Sequence, residues 1–177
     1  MVLIDGDLRK PGLHKAFRVS NECGLRNILR GEIDLVAAPT ASFCKTTSIP
    51  NLSVITSGSG REEVVELLHS RQAPELLQRL GREFDVVLID TPPMLHMADA
   101  RIFASHADAA ILVFRAGVTT QEQAAGARDL FLHDRVPLMG TILNDFNPSN
   151  EGRSGYYESY FRYKQQIEST EEAAVNL

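Results

Sequence analysis

The sequence is poor in cysteine, and neither cysteine lies in a pattern that would give it a partner. Cys23 and Cys44 have no Cys-x-x-Cys spacing and no neighbouring histidine. Zinc sites and disulfide frameworks depend on such patterns, so free thiols are expected. Long apolar runs are absent too, since none approaches the roughly 20 residues of a membrane span. Asp5, Asp7 and Arg9 interrupt the first apolar run. We therefore expect no signal peptide and a soluble chain that would need a partner to act at a membrane.

The charge balance argues against one further class of protein. A formal net charge of −5 over 177 residues does not favour binding to nucleic acid, which needs a basic surface. The distribution is uneven: residues 1–30 contain six Lys or Arg against three acids, and residues 145–177 contain three against six. Such ends can attract each other within or between chains, or be two solvated surfaces.

A glycine-rich phosphate loop is missing as well. The motif G-x-x-x-x-G-K-[ST] curls backbone N–H groups around a phosphate and ends in a lysine. Lys45-Thr46-Thr47 matches only its last part, because no glycine occurs between Gly31 and Gly58. No lysine in the sequence follows a glycine. The sequence therefore contains no Walker A motif, and Lys45 is predicted not to bind phosphate.

What the sequence does contain is an alternation of apolar runs and amphipathic stretches. Strands are predicted at the opening run and over residues 52–56, 84–90, 109–114 and 138–143. Helices are predicted over residues 62–70, 74–82 and 99–105, and from 119 or 120 to about 133. This order is typical of βαβ units, so we predict an α/β fold with a mostly parallel sheet and helices on both faces. The composition changes after residue 147, which divides the chain into an α/β domain (1–147) and a flexible tyrosine-rich tail (148–177).

Two of the apolar runs end in an aspartate. Val2-Leu3-Ile4 leads into Asp5, and Val87-Leu88-Ile89 leads into Asp90. Ligands of open α/β sheets bind at the carboxyl ends of the strands. Mg²⁺ in phosphoryl-transfer sites takes one or two carboxylates, so Asp5 and Asp90 are the candidate metal ligands. Asp7 can share this work, or one of these acids can receive a proton from an attacking hydroxyl.

Three further polar residues near strand ends each have two interpretations. Arg9, in the loop after the first strand, can contact phosphate or be ordinary surface charge. Arg115, which ends another strand, has the same ambiguity. Asn144, at the end of the last strand, can hydrogen-bond a purine edge or serve as a turn residue.

All four tyrosines of the chain fall within eight residues of the tail. They are Tyr156, Tyr157, Tyr160 and Tyr163, and a linker-like stretch precedes them. The cluster is compatible with a phosphate-acceptor segment, with an amphipathic helix that packs on a partner, or with a disordered tail of accidental composition. The linker and the candidate phosphoryl-transfer site favour the first interpretation.

Together these motifs resemble the bacterial tyrosine kinases (BY-kinases) of capsular and exopolysaccharide export systems. The opening run followed by Asp5-Gly6-Asp7-Leu8-Arg9 matches the family's Walker A′ pattern, and residues 87–93 match its Walker B pattern. The resemblance covers most of the chain, and the family belongs to the MinD/ParA-like branch of P-loop ATPases. It implies a P-loop NTPase-like sheet that here lacks its first, P-loop strand.

The resemblance implies an ATP-dependent protein-tyrosine kinase that uses Mg²⁺. It implies that Asp5 and Asp7 bind the metal and activate the tyrosine hydroxyl, and that Asp90 supports the metal. Asn144 would lie near adenine, and Arg9 and Arg115 are the other candidate nucleotide contacts. The autophosphorylation sites would be Tyr156, Tyr157, Tyr160 and Tyr163, modified between subunits of a ring.

The implied partners are a membrane polysaccharide co-polymerase (chain-length determinant), further copies of the kinase and a tyrosine phosphatase, with no nucleic acid among them. The implied location is the cytoplasmic face of the plasma membrane. Because the P-loop is missing, we expect weak ATP binding and weak transfer by this chain. Two alternatives are a MinD/ParA-type ATPase that hydrolyses ATP without modifying tyrosine, and a non-catalytic pseudokinase module that docks on the co-polymerase.

Overall fold

The structure, a computed structural model, describes residues 1–60 and 64–147. Its elements confirm the α/β class predicted from the alternating pattern. In chain order they are β1 (Val2–Asp5), α1 (Leu13–Ala16), α2 (Leu25–Leu29), β2 (Lys45–Thr46), β3 (Ser53–Ile55), α3 (Val64–Leu68), α4 (Gln72–Glu83), β4 (Val87–Asp90), α5 (Asp99–Ala104), β5 (Ala110–Arg115), α6 (Gln121–His133) and β6 (Leu138–Asn144). A short 3₁₀ turn, Thr40–Ser42, precedes β2.

The chain divides into two compact units. The first comprises Met1–Leu112 and Gln121–Gly140, and the second comprises Val113–Thr120 and Thr141–Leu177, of which the structure describes the part up to residue 147. Every described helix lies in the first unit. The longest of them has 13 residues, and none in the described ranges is long and apolar enough to cross a lipid bilayer.

The first unit is built on a four-stranded sheet with the order β2-β3-β1-β4. Strand β1 pairs in parallel with β3 on one side and with β4 on the other. The mostly parallel sheet predicted from the sequence is thereby confirmed. Strand β2 is antiparallel to β3, and it lies in a stretch, residues 35–50, for which the sequence predicts only turns.

The core of the first unit lies around β1. Its alternate residues Val2 and Ile4 are fully buried, and Leu3, on the opposite face of the sheet, is partly buried. Helix α4 contributes an apolar stripe at helical spacing, which consists of Ala73, Leu76 and Leu80. Other large side chains with less than 2% exposure are Leu25, Ile28, Phe43, Val54, Ile55 and Leu68.

Strands β4 and β5 are less buried than the sequence predicts. Their continuous apolar runs are typical of strands covered on both faces, yet Leu88 is 44% exposed and Ile111 is 45% exposed. Within the described ranges no strand pairs with the outer edge of β4, and β5 pairs only with β6. Among the described residues β4 therefore has a neighbouring strand on one side only, and its side chains are less covered than those of the central strand β1.

Strands β5 and β6 form a separate two-stranded sheet. In the first unit the N–H of Ala110 donates to the carbonyl of Pro137 at 2.8 Å. In the second unit the N–H of Ala116 donates to the carbonyl of Asn144 at 2.9 Å. From the first of these hydrogen bonds to the second, the residue numbers rise in both strands, so β5 and β6 are parallel.

Candidate active site

The carboxyl ends of β1 and β4 lie side by side in the first unit. Asp5 and Asp90 are partners in the strand register, and the N–H of Gly6 donates to the carbonyl oxygen of Asp90 at 2.8 Å. A Cβ atom on Gly6 would lie 2.6 Å from that oxygen and 2.9 Å from the side chain of Ile89. Only glycine permits this approach. The structure thus brings the two aspartates together, as their positions at strand ends predict.

Asp5 is fully buried, and only one of its two carboxylate oxygens accepts hydrogen bonds from the described residues. Its side chain is 0% exposed, and Oδ2 accepts the N–H groups of Gly12 at 3.2 Å and Leu13 at 3.0 Å. The other oxygen, Oδ1, is buried and accepts no hydrogen bond from the described residues. Buried oxygens without a partner are rare because they lose their hydration without compensation. This oxygen is therefore suited to a ligand, and a cation is the natural one for a carboxylate.

Burial and neighbouring charge both act on the acidity of this site. Burial raises the pKa of Asp5, the N–H groups of Leu13 and Gly12 oppose that shift, and the charges of Asp90 and Asp7 add to it. Partial desolvation, followed by the charge of Asp7, also raises the pKa of Asp90. Asp5 is buried, whereas solvent reaches Asp90. A bound cation would relieve the repulsion among these carboxylates.

Asp7 and Arg9 shape the loop that follows β1. Oδ1 of Asp7 accepts the N–H groups of Arg9 at 3.1 Å and Lys10 at 2.9 Å, while its Oδ2 accepts no hydrogen bond from the described residues. The guanidinium of Arg9 donates to both carboxylate oxygens of Asp99, through Nε at 2.9 Å and Nη2 at 3.2 Å. Arg9 thus binds a protein carboxylate, and its contact with nucleotide stays a prediction.

Two of the predicted nucleotide contacts belong to the second unit. Arg115 places Nε and Nη2 each 2.9 Å from Oδ2 of Asp145. Oδ1 of Asn144 accepts the N–H of Asp145 at 2.9 Å. Both interactions are exposed. The first joins the ends of β5 and β6, and the second is a local contact of the kind found in a strand-end turn. The roles of Arg115 and Asn144 toward nucleotide stay predictions, and the predicted acceptors Tyr156, Tyr157, Tyr160 and Tyr163 lie outside the described residues.

Lys45, which the missing glycines predict not to bind phosphate, donates to protein oxygens in this structure. It lies in β2, and its Nζ donates to the carbonyl of Cys23 at 2.5 Å and to Oγ1 of Thr56 at 3.2 Å. Its ammonium group is thus committed to protein oxygens.

The carboxylates fit Mg²⁺ better than they fit a metal held by the protein alone. In the part of the chain that the structure describes, no three His, Cys, Asp or Glu side chains gather into a metal site. Mg²⁺ needs no such set, because it takes one or two carboxylates and completes its shell with water and substrate phosphates. Asp5, with its bare Oδ1, and Asp90 are the residues that would hold the ion.

The raised pKa of Asp5 predicts a pH-dependent loss of stability. As pH rises above the ordinary pKa of 3.8, the unfolded chain ionises more readily than the folded one. The folded state therefore loses stability until pH passes the raised pKa. Asp5→Asn keeps an oxygen for the Gly12 and Leu13 N–H groups but has no proton to lose. In the presence of a chelator at pH 7, we therefore expect it to melt at a higher temperature than the unchanged protein.

This difference should vanish near about pH 3, where the carboxyl is protonated in both states. Melting curves across this pH range measure it. Asp85→Asn, at an exposed position before β4, controls for the loss of an acidic group. Parallel pH profiles for Asp5→Asn and the unchanged protein would contradict the assignment of this shift to Asp5.

Known proteins resemble this chain both in sequence and in structure. No protein-family model matches the chain. It is 38% identical over 157 residues to the tyrosine-protein kinase YwqD of Bacillus subtilis, with 89% of this chain aligned. The crystal structure of the VpsO kinase domain superposes with a TM-score of 0.74 at 31% identity, covering 82% of this chain and 70% of that domain.

The septum site-determining protein MinD of Pyrococcus horikoshii, solved with Mg-ADP, has a TM-score of 0.67 at 23% identity and covers 84% of this chain and 59% of that one. This similarity supports the fold alone, and it agrees with the predicted α/β class. The chain spans 64% of the length of YwqD, so the relative contains a substantial segment with no counterpart here.

Proposed function

Because the chain belongs to the family of bacterial tyrosine kinases, we propose that its complete protein transfers the γ-phosphoryl group of ATP to tyrosine. The observation that carries this proposal is the pairing of Asp5 with Asp90 at adjacent strand ends, with one oxygen of Asp5 buried and bare. Such a pair suits a Mg²⁺–nucleotide complex. The activity is proposed for the complete protein, because this chain spans 64% of its relative YwqD.

The three aspartates Asp5, Asp7 and Asp90 have separate parts in the proposed reaction. Bound Mg²⁺ would supply the positive charge that the phosphate oxygens need, and Asp5 and Asp90 would hold it. Backbone N–H groups bind Oδ1 of Asp7, which leaves Oδ2 to accept the proton of the tyrosine hydroxyl. The tyrosine oxygen bonds to the γ-phosphorus while the bond from that phosphorus to ADP breaks. The proton passes to Asp7 and then to water.

The proposed acceptors are Tyr156, Tyr157, Tyr160 and Tyr163. Each phosphorylation adds close to two negative charges at neutral pH, and the segment from residue 145 onward is already acidic. Repulsion among these charges would weaken the docking of one subunit's tail on the next. We therefore propose that phosphorylation in trans dissolves a ring of kinase copies and that a tyrosine phosphatase restores it.

The proposed setting is the cytoplasmic face of the plasma membrane. There the kinase would bind a membrane polysaccharide co-polymerase and control capsular or exopolysaccharide polymerisation and export. This part of the proposal rests on the resemblance of residues 2–9 and 87–93 to the BY-kinase motifs. Co-purification of the complete protein with a membrane fraction that contains the co-polymerase, and its loss in a strain without that partner, would support it.

Mapping of phosphotyrosine tests the kinase proposal directly. The chain as printed is compared with a version extended upstream to include any encoded G-K-[ST] loop, each incubated with Mg-ATP. We expect the extended chain to gain phosphate on residues 156–163 and the printed chain to gain little or none. Mass spectrometry of the tail and release of ADP are measured together.

The same two measurements separate the alternatives. ADP release without phosphotyrosine would indicate a MinD-type ATPase. Neither product, in an extended chain that folds, would indicate a non-catalytic module and remove the kinase proposal.

A further inference from the structure

Helix α5 contacts the loop after β1 at two points. Asp99, in the first turn of the helix, receives Nε of Arg9 at 2.9 Å and Nη2 at 3.2 Å. Phe103, one turn later, lies against Gly6, because its Cε2 is 3.0 Å from the place that a Cβ would take there. Gly6 and Arg9 lie on either side of Asp7 in the sequence. The helix therefore holds this loop both before and after Asp7.

The ion pair between Asp99 and Arg9 is suited to fixing geometry. The side chain of Asp99 is 0% exposed and that of Arg9 is 33% exposed. A buried pair adds little stability over an apolar pair of the same size, because both charges leave water. A planar guanidinium held at two points, however, has a defined orientation. The main effect of the pair is therefore to fix the orientation of the Arg9 side chain, and its contribution to the free energy of unfolding is small.

Arg9 connects this ion pair to Asp7 through a backbone hydrogen bond. Its backbone N–H donates to Oδ1 of Asp7 at 3.1 Å, next to the N–H of Lys10 at 2.9 Å. The residue that Asp99 holds by its side chain thus holds Asp7 by its backbone. The charge of Asp7 acts in turn on Asp5 and Asp90, where it contributes to the raised pKa of each.

We infer that Asp99 is a positioning residue, which fixes Asp7 relative to Asp5 and Asp90 through Arg9 and thereby sets the affinity of the site for Mg²⁺. The inference rests on the proposed kinase function, which supplies the reason for a Mg²⁺ site. Asp5 and Asp90 would hold the ion, and the negative charge of Asp7 beside them would add to its attraction. A displacement of Asp7 therefore weakens Mg²⁺ binding even though Asp7 is not one of the two proposed ligands.

The Mg²⁺ requirement of tyrosine phosphorylation tests this role. In the upstream-extended chain, at saturating ATP, we expect Asp99→Asn to raise the half-saturating Mg²⁺ concentration roughly tenfold or more, as loss of an outer-shell partner does in metal sites. Arg9→Lys keeps the positive charge but loses the two-point contact, and it should change the Mg²⁺ requirement in the same direction. If Asp99→Asn does not fold, Arg9→Lys tests the same contact from its other side.

A matched control lies on the same helix. Arg101 of α5 contacts Asp134 through Nη2 at 2.7 Å, and this pair does not involve the β1 loop. Asp134→Asn removes a two-point ion pair of the same kind, so it reproduces any general loosening of α5. We expect it to leave the half-saturating Mg²⁺ concentration within about twofold of the unchanged protein, in contrast to the shift at Asp99.

Amide exchange in the printed chain gives a second readout that needs no kinase activity. Asp7 protects the N–H groups of Arg9 and Lys10, and we expect them to exchange about tenfold faster in Asp99→Asn and unchanged in Asp134→Asn. An extended chain without kinase activity would remove the proposed function, and amide exchange would then decide the inference alone. If the extended chain is active and Asp99→Asn leaves its half-saturating Mg²⁺ concentration unchanged, the inference is overturned. Unchanged exchange rates of the Arg9 and Lys10 amides in Asp99→Asn, or an Arg9→Lys defect confined to the KM for ATP, would also overturn it.

Discussion

Asp5→Asn, in the upstream-extended chain, should lower the rate of tyrosine phosphorylation roughly 10²–10³-fold, the usual cost of removing one electrostatic contact to a transferring group. Asparagine keeps an oxygen to accept the N–H groups of Gly12 and Leu13. It lacks the negative charge that the bare Oδ1 offers to a cation. The loss should therefore occur in a protein that is fully folded and, at neutral pH without Mg²⁺, more stable than the unchanged one.

Initial rates of phosphotyrosine formation, paired with melting temperatures, measure this effect. Asp85→Asn is the matched control, because Asp85 precedes β4 at the opposite end of the strand from Asp90. It should retain phosphorylation within about twofold, as is usual for an isolated surface substitution. If Asp5→Asn retained a tenth or more of the activity, Asp5 would lose its proposed role in the metal site.

Gly24→Ala should produce a large loss of stability in the first unit. A Cβ at this position would lie 2.1 Å from the carbonyl oxygen of Thr56 and 2.4 Å from the backbone nitrogen of Gly58. Both neighbours are backbone atoms, which no rotamer change can move aside. The clash also separates the start of α2 from β3, where Leu25 N–H donates to that same carbonyl at 2.7 Å. We expect a loss of roughly 3–5 kcal/mol, at the upper end of single substitutions.

Urea unfolding monitored by circular dichroism measures this loss. Gly81→Ala provides the comparison, since a Cβ at Gly81 would meet nothing within 4 Å. Gly81 lies inside α4, so alanine there should stabilise the protein by roughly 0.5–1 kcal/mol. Equal unfolding midpoints for Gly24→Ala and the unchanged protein would show that α2 is not held tightly against β3.

The sequence was sufficient to predict the parts of the site that depend on local pattern. An apolar run that ends in Asp5 and a second that ends in Asp90 indicate two buried strands, and adjacent parallel strands bring their ends together. The register that pairs the two aspartates follows from the hydrogen bonds of β1 with β4. Gly6 lies between two aspartates in the sequence, but its requirement for close approach to Asp90 depends on that register.

The contacts that depend on tertiary packing were beyond the sequence pattern. Arg9 and Asp99 are separated by 90 residues, and many acidic residues could have faced that arginine. Strand β2 has two residues, too few for a period of two to be recognised. The exposure of Leu88 was missed for a related reason. An apolar run indicates that a strand is buried, but it does not show which other elements cover that strand.

Strand β4 supplies Asp90 and is also the outermost strand of its sheet. An outermost strand has main-chain donors and acceptors that face away from its only neighbour, and flat apolar edges of this kind recruit other strands. Val86 is 46% exposed and Leu88 is 44% exposed along this border. The charges that β4 carries lie at its two ends, with Asp85 before it and Asp90 as its last residue. In the part of the chain that the structure describes, this border therefore leaves main-chain donors and acceptors open to pairing with a further strand.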